Sequence, residues 1–265
     1  MTESNFKTSV PSDVAAAFYA WPLWGRLGWE DTKLRYRRSI LGPLWLTIGT
    51  AIMVVGMGMI WSILWGMNVA EYFPYLAAGF ITWQWISAGI IEGTRTFSDQ
   101  ARLIQSFPLP LPVHSFRLCV KLFIGFAHNL LVFIGIAIIF SVPVTAWTWA
   151  FVPGMVIIYL NCLWVSLLLG IIALRYRDLT NILEVIMGLM VFLTPIMWKV
   201  EMLGSKQFVA DLNPFTHYIA IIRSPLLGEA PTMLSYGVTL SLTAGGCVLA
   251  YQVFKRQRAH IAFWI

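Results

Sequence analysis

Six stretches of this 265-residue chain run for about 20 residues with almost no charge, and that pattern dictates the class of fold. Residues 44–66, 72–91, 147–174 and 232–254 contain no Asp, Glu, Lys or Arg. Residues 118–141 carry Lys121 near one end, where it can snorkel, with His128 and Asn129 in the middle. Residues 179–198 hold one acid, Glu184. A helix crosses the hydrocarbon in about 20 apolar residues, so these six segments are expected to span a membrane as one all-α integral domain. Charged residues make up 11% of the chain, against about 25% in soluble domains. That excludes disorder, nucleic-acid-binding tails and a water-soluble enzyme. The halves show no repeat.

The net charge of +6 is not clustered on a groove-reading element, so no nucleic-acid partner is expected. Its distribution orients the chain instead. Placing both termini in the cytoplasm puts 14 of the 18 Lys and Arg residues in segments 1–43, 92–117, 175–178 and 255–265. The outer segments then hold only Lys199, Lys206 and Arg223, as the positive-inside rule requires. The first 43 residues are too long and polar for a cleavable signal, and the domain is a multi-pass membrane protein by this reading.

The connections carry their own patterns. In residues 21–38, Arg26, Glu30, Lys33 and Arg37 repeat at i, i+4, i+7 and i+11, one polar stripe of a helix. Trp21, Trp24 and Leu27 supply apolar contacts, so this helix is expected to lie in the membrane interface. It is either a lipid anchor or a docking surface for a cytoplasmic partner. In residues 92–117, Arg95, Asp99 and Arg102 would share a helix face, and Pro108, Pro110 and Pro112 would then form a stiff extended exit. Residues 199–231 are apolar enough to dip into the membrane, but Asp211, Arg223, Pro214 and Pro225 argue against a full crossing. Two short helices re-entering from the outer side fit better.

Several chemistries are missing. No G-x-x-x-x-G-K-[ST] loop occurs, so the chain is not expected to hydrolyse ATP itself. Cys119, Cys162 and Cys247 have no metal spacing and read as small packing residues, and no metal site is expected. Glu184 should pair with Arg175, Arg177 or Lys121, and His128 with Asn129 should make interhelical hydrogen bonds. The positive signal is aromatic: Trp61, Trp65, Trp83, Trp85, Trp147, Trp149 and Trp198 fall towards the outer ends of spans. They form an interfacial belt, or some line a passage in which their rings contact sugar C–H faces.

Four ordered motifs resemble one family. They are LRYRRSILGPLWLTI (Leu34 to Ile48), LIQSFPLPLPVHSFR (Leu103 to Arg117), RYRDL (Arg175 to Leu179) and LNPFTHYIAIIRSPLLG (Leu212 to Gly228). Together they resemble type-2 ATP-binding-cassette permeases that export bacterial polysaccharides, such as O-antigen, teichoic acid and capsule exporters. The resemblance implies a homodimeric channel driven by two separate ATPase subunits, which bind the ATP and Mg. It implies a glycan substrate on polyprenyl pyrophosphate or another lipid, moved across the inner membrane. Segment 21–38 matches the family's interface helix and 93–106 its coupling helix, which places Arg26, Lys33, Arg37, Arg38, Arg95, Asp99 and Arg102 at the ATPase contact. Asn213, Pro214, Arg223 and Pro225 match its periplasmic gate. Trp61, Trp65, Trp83, Trp85 and Trp198 are the candidate channel aromatics. Rival readings are a lipid or drug exporter of the same superfamily, a polyprenyl-phosphate membrane enzyme, and a secondary transporter using Glu184 and His128.

Overall fold

Helices start and stop where the chain's breakers stand. Asn68 caps α4 (Val69–Thr94) by accepting from the Ala70 N–H at 3.0 Å. Pro112 opens α6 (Pro112–Ile139), and Asn213 caps α10 (Pro214–Leu226), whose first residue is Pro214. The remaining α-helices are α1 (Val10–Tyr19), α2 (Trp21–Arg35), α3 (Leu44–Trp65), α5 (Ala101–Ser106), α7 (Phe151–Arg175), α8 (Leu179–Leu193), α9 (Phe208–Asp211) and α11 (Met233–Trp264). Short 3-10 turns occupy Ser98–Gln100, Ala146–Ala150 and Val200–Lys206. The computed structural model describes residues 10–42, 44–107 and 109–265, with no strand among the described residues. Residues 1–9, Pro43 and Pro108 lie outside them, and with them parts of the amino-terminal segment and of the stiff proline exit.

Four helical stretches are long and apolar enough to cross a membrane: Leu44–Trp65, Pro112–Ile139, Ala146–Arg175 and Met233–Ile261. The expected spans 44–66, 118–141, 147–174 and 232–254 map onto them, with α6 beginning six residues early and α11 running on to Trp264. The other two differ. The stretch 72–91 lies in α4, a 26-residue helix buried along most of its length. Because protein rather than lipid surrounds it, α4 accommodates Trp83, Gln84 and Trp85 at its middle. The stretch 179–198 is helical only to Leu193, because Thr194 turns extended ahead of Pro195.

At the centre, α4 packs against α6, α7, α3 and α10, and α11 packs on α7. Helices α4 and α7 approach each other closely. A Cβ on Gly89 would lie 2.7 Å from Cys162 Sγ, and one on Gly93 would lie 3.1 Å from Ser166 Cα. Small residues one turn apart let the two backbones nearly touch.

Two connections depart from the sequence expectation. The interface helix ends at Arg35, not at residue 38, and Arg38 has a φ of +70°, so the polar stripe stops at Lys33. Helix α1 precedes it, and its Asp13 pairs with Arg258 of α11 at 2.6 Å. The charged face of Arg95, Asp99 and Arg102 is not one helix. Arg95 caps α4, Asp99 sits in the 3-10 turn and Arg102 in α5. The cause is Phe97, which is fully buried with Ile104, Ile171 and Phe254 and pulls the chain inwards between them. Pro112 belongs to α6 rather than to an extended exit.

Candidate functional site

Charged side chains gather at the end of the bundle where α4 finishes and α6 begins. Glu92 accepts from Lys121 at 2.6 Å and from Arg35 at 3.1 Å, so one carboxylate serves two cations. Burial lowers the proton affinity of Arg35, but Glu92 outweighs it and holds the guanidinium's pKa above its ordinary value. Arg117 grips Asp31 through Nε at 2.6 Å and through Nη2, while its Nη1 donates to Gln100 Oε1 at 2.7 Å. That single side chain ties α2, the 3-10 turn and α6 together. Glu184 pairs with Arg95 at 2.6 Å, not with Arg175, Arg177 or Lys121.

Above this charged layer a cavity of about 610 Å³ opens between α2, α3, α4, α6 and α8. Arg35, Glu92, Lys121 and Glu184 line its mouth. Two helical turns deeper, Gln84 of α4 and Asn129 of α6 line it with Thr50 of α3. Asn129 Nδ2 donates to Gln84 Oε1 at 2.8 Å, and the Thr50 hydroxyl lies 3.1 Å from both Gln84 Oε1 and Asn129 Oδ1. Asn129 thus makes the interhelical bonds expected of it. The His128 ring stays within its own helix, with Nδ1 2.8 Å from the Ile124 carbonyl, while the His128 carbonyl accepts from the Thr47 hydroxyl of α3 at 3.2 Å.

Trp83 and Trp85 line the same cavity. They are 5% and 3% exposed and sit at mid-helix rather than towards the outer end of the span. Trp85 stacks on Phe126 at 4.4 Å between centroids, and Trp83 meets Phe215 edge-on at 5.4 Å. Trp61, Trp65 and Trp198 do not line this cavity. Trp61 and Trp65 stack on each other at 4.7 Å, and Trp65 meets Tyr72 edge-on.

The opposite end is closed by α10 and the irregular stretch after α8. Non-helical carbonyls need partners wherever water is excluded. Here side chains supply them. Tyr72 donates to the Met197 carbonyl, Tyr75 to the Trp198 carbonyl at 3.0 Å, and Arg223 Nη1 to the Pro195 carbonyl at 2.6 Å. Asn213 Nδ2 donates to Thr194 Oγ1 at 3.0 Å while its Oδ1 accepts from the Phe215 N–H. Arg223 is 7% exposed, with Cζ 3.9 Å from the Tyr75 ring centroid. Pro214 and Pro225 lie on the same helix, at its first and its last turn. The four residues matched to a gate are therefore assembled on one element, held against the end of α8.

The seven residues assigned to the ATPase contact are all exposed. Lys33 pairs with Glu30 at 3.1 Å, and Arg95 and Asp99 share two clefts at the charged end. Arg35, Glu92, Arg117, Lys121 and Asp31 were not singled out by sequence patterning as site residues. Their signal is positional: each flanks an uncharged segment at the same end of the bundle. Gln84, the only amide in its span, was equally visible.

A model of the family described as ABC-2 type transporter matches residues 22–227. The chain is 24% identical over 247 residues to the O-antigen export system permease protein RfbA of Myxococcus xanthus, covering 88% of this chain and 91% of that protein. It is 24% identical over 196 residues to a protein of the same name from Klebsiella pneumoniae, covering 72% and 74% of the two chains. A second Klebsiella pneumoniae protein of that name is 23% identical over the same length.

Proposed function

We propose that this chain, which belongs to the ABC-2 type transporter family, is the permease subunit of an exporter that carries a lipid-linked glycan from the cytoplasmic to the outer face of the inner membrane. It is a multi-pass membrane protein and a transport subunit rather than an enzyme, and the family implies an ATPase partner. The observation that carries the reading is the cavity between α2, α3, α4, α6 and α8, with its charged mouth and its amide-and-aromatic wall. A glycan needs a polar route while its lipid stays in the bilayer, and this cavity offers such a route.

In this reading α4 and α8 complete six spans, and both termini are cytoplasmic. Helix α8 alone is about 22 Å long, short of a hydrocarbon core of about 30 Å. Residues 194–198 make up the difference, and their hydrogen-bonded carbonyls support that placement. Helices α9 and α10 re-enter from outside, with Asn213, Pro214, Arg223 and Pro225 forming the gate. Two copies form the channel, and two separate subunits bind ATP and Mg. Arg26, Lys33, Arg37, Arg38, Arg95, Asp99 and Arg102 face those subunits, and Arg117 connects their contact surface to α6.

Deletion of the gene tests the reading. Lipid-linked glycan should accumulate inside the cell and the surface polymer should disappear. Normal surface glycan in the deletion strain would overturn it and favour a lipid or drug exporter.

A further inference from the structure

The hydrogen-bonding capacity of the cavity's deep wall is not used up. The Thr50 hydroxyl has one proton and two acceptors within 3.1 Å, so it satisfies only one of them at a time. Gln84 Oε1 accepts from Asn129, yet its Nε2 makes no hydrogen bond among the described residues. Trp85 Nε1 is buried without a partner among the described residues. A purely structural cluster would close on itself, because an unmade buried hydrogen bond costs about 1–3 kcal/mol. This one keeps donors and acceptors in reserve beside an open space.

The wall also lacks charge. Of the charged residues that line the cavity, all four stand at the mouth. Lys121 precedes Asn129 by eight residues on α6, and Glu92 follows Gln84 by eight on α4, about 12 Å in each case. Lys121 is itself engaged by Glu92. Farther along, Arg223 is the one charged residue that is buried among the described residues, and Tyr75 and the Pro195 carbonyl occupy it. A carboxylate or phosphate on every repeat would have to shed water against amides and rings with no cation to meet it. The penalty is several kcal/mol for each ion. Sugar hydroxyls suffer no such penalty. The amides of Gln84 and Asn129 both donate and accept, and the rings of Trp83 and Trp85 offer apolar faces to sugar C–H groups.

We propose that Thr50, Gln84 and Asn129 form a hydroxyl-reading station in the passage, and that the glycan it passes is built of uncharged sugars. The proposal rests on the export reading and deepens it. Gln84 is a specificity-determining residue: its unpaired Nε2 hydrogens bind passing hydroxyls, and the absence of a deep cation turns away polyanionic chains.

Two experiments test this. The first compares the surface polymer of the parent strain with that of the deletion strain, analysing what is lost for neutral sugars, uronic acids and phosphate. The lost polymer should contain neither uronic acid nor phosphate in its repeat. A lost polymer charged in every repeat would overturn this inference while leaving the export reading intact, whereas loss of no polymer at all would overturn both. The second uses Gln84→Glu, which keeps an oxygen that accepts from Thr50 and Asn129 and exchanges the idle N–H donors for a second carboxyl oxygen, charged when ionised. Pulse-labelled polymer should reach the surface at least fivefold more slowly, at unchanged membrane abundance and melting temperature. Export at the parental rate would overturn the role of Gln84. Should Gln84→Glu lose abundance, Gln84→Met, which removes the N–H donors without adding charge, scored per folded protein, applies the same criterion.

Discussion

The Arg223 guanidinium lies 3.9 Å from the centroid of the Tyr75 ring and donates at 2.6 Å to the Pro195 carbonyl. A charged hydrogen bond contributes about 1.5–3 kcal/mol, and a desolvated cation–π contact about 2 kcal/mol. Together they clamp α10 onto the non-helical end of α8. Arg223→Met should destabilise the purified protein by about 2–4 kcal/mol, and Tyr75→Phe, which keeps the ring, by about 1 kcal/mol. Thermal unfolding in detergent checks the order; equal losses from both variants would remove the ring contact from the account.

Arg117 is the corresponding fastener at the charged end. It joins Asp31 of the interface helix to Gln100 of the 3-10 turn, and its side chain is 12% exposed. Arg117→Lys keeps the charge but loses the two-pronged grip. Substrate-stimulated ATP turnover of the assembled transporter should fall about tenfold, the 1.4 kcal/mol equivalent of losing one charged bond from the coupling path. Because both residues act in one contact, Asp31→Asn combined with Arg117→Lys should be no worse than Arg117→Lys alone.

Backbone proximity sets a third expectation. A side chain at Gly93 would meet the Ser166 backbone, whereas Gly237 has nothing within 4 Å of its would-be Cβ. Gly93→Leu should cost about 1–3 kcal/mol or more and reduce membrane abundance. Gly237→Ala should be neutral or stabilise by about 0.5–1 kcal/mol. Quantitative immunoblotting of membranes separates the two.

The absent phosphate-binding loop gives a fourth. The chain purified alone should turn over no ATP, and turnover should appear when its cassette subunit is added. A release assay for inorganic phosphate decides it, and activity from the lone polypeptide would contradict the division of labour.

The uncharged runs made four spans legible from sequence, because apolarity over 20 residues has one outcome in a bilayer. The caps at Asn213 and Pro112 were equally local signals. What escaped were features that need a third dimension. Trp83 and Trp85 fit either a belt or a passage on sequence alone, and the choice waits on seeing α4 wrapped by α6, α7 and α10. The stripe Arg95, Asp99 and Arg102 obeys helical spacing, but burial of Phe97 outweighs it. Glu184 had several basic candidates nearby in sequence, yet its partner Arg95 is 89 residues away. Arg117 ends the run LIQSFPLPLPVHSFR with no local signal of its role, because its value is in joining three elements.

The central claim is that the glycan passes between α3, α4, α6 and α8. A photoreactive amino acid placed at Ser87 or Ala88, on the cavity wall, tests this in living cells against one at Ile63, exposed on α3. On illumination, a ladder of glycan should become covalently attached to the protein from positions 87 and 88 and not from 63. A ladder from 63 with none from 87 or 88 would place the path elsewhere and contradict the account.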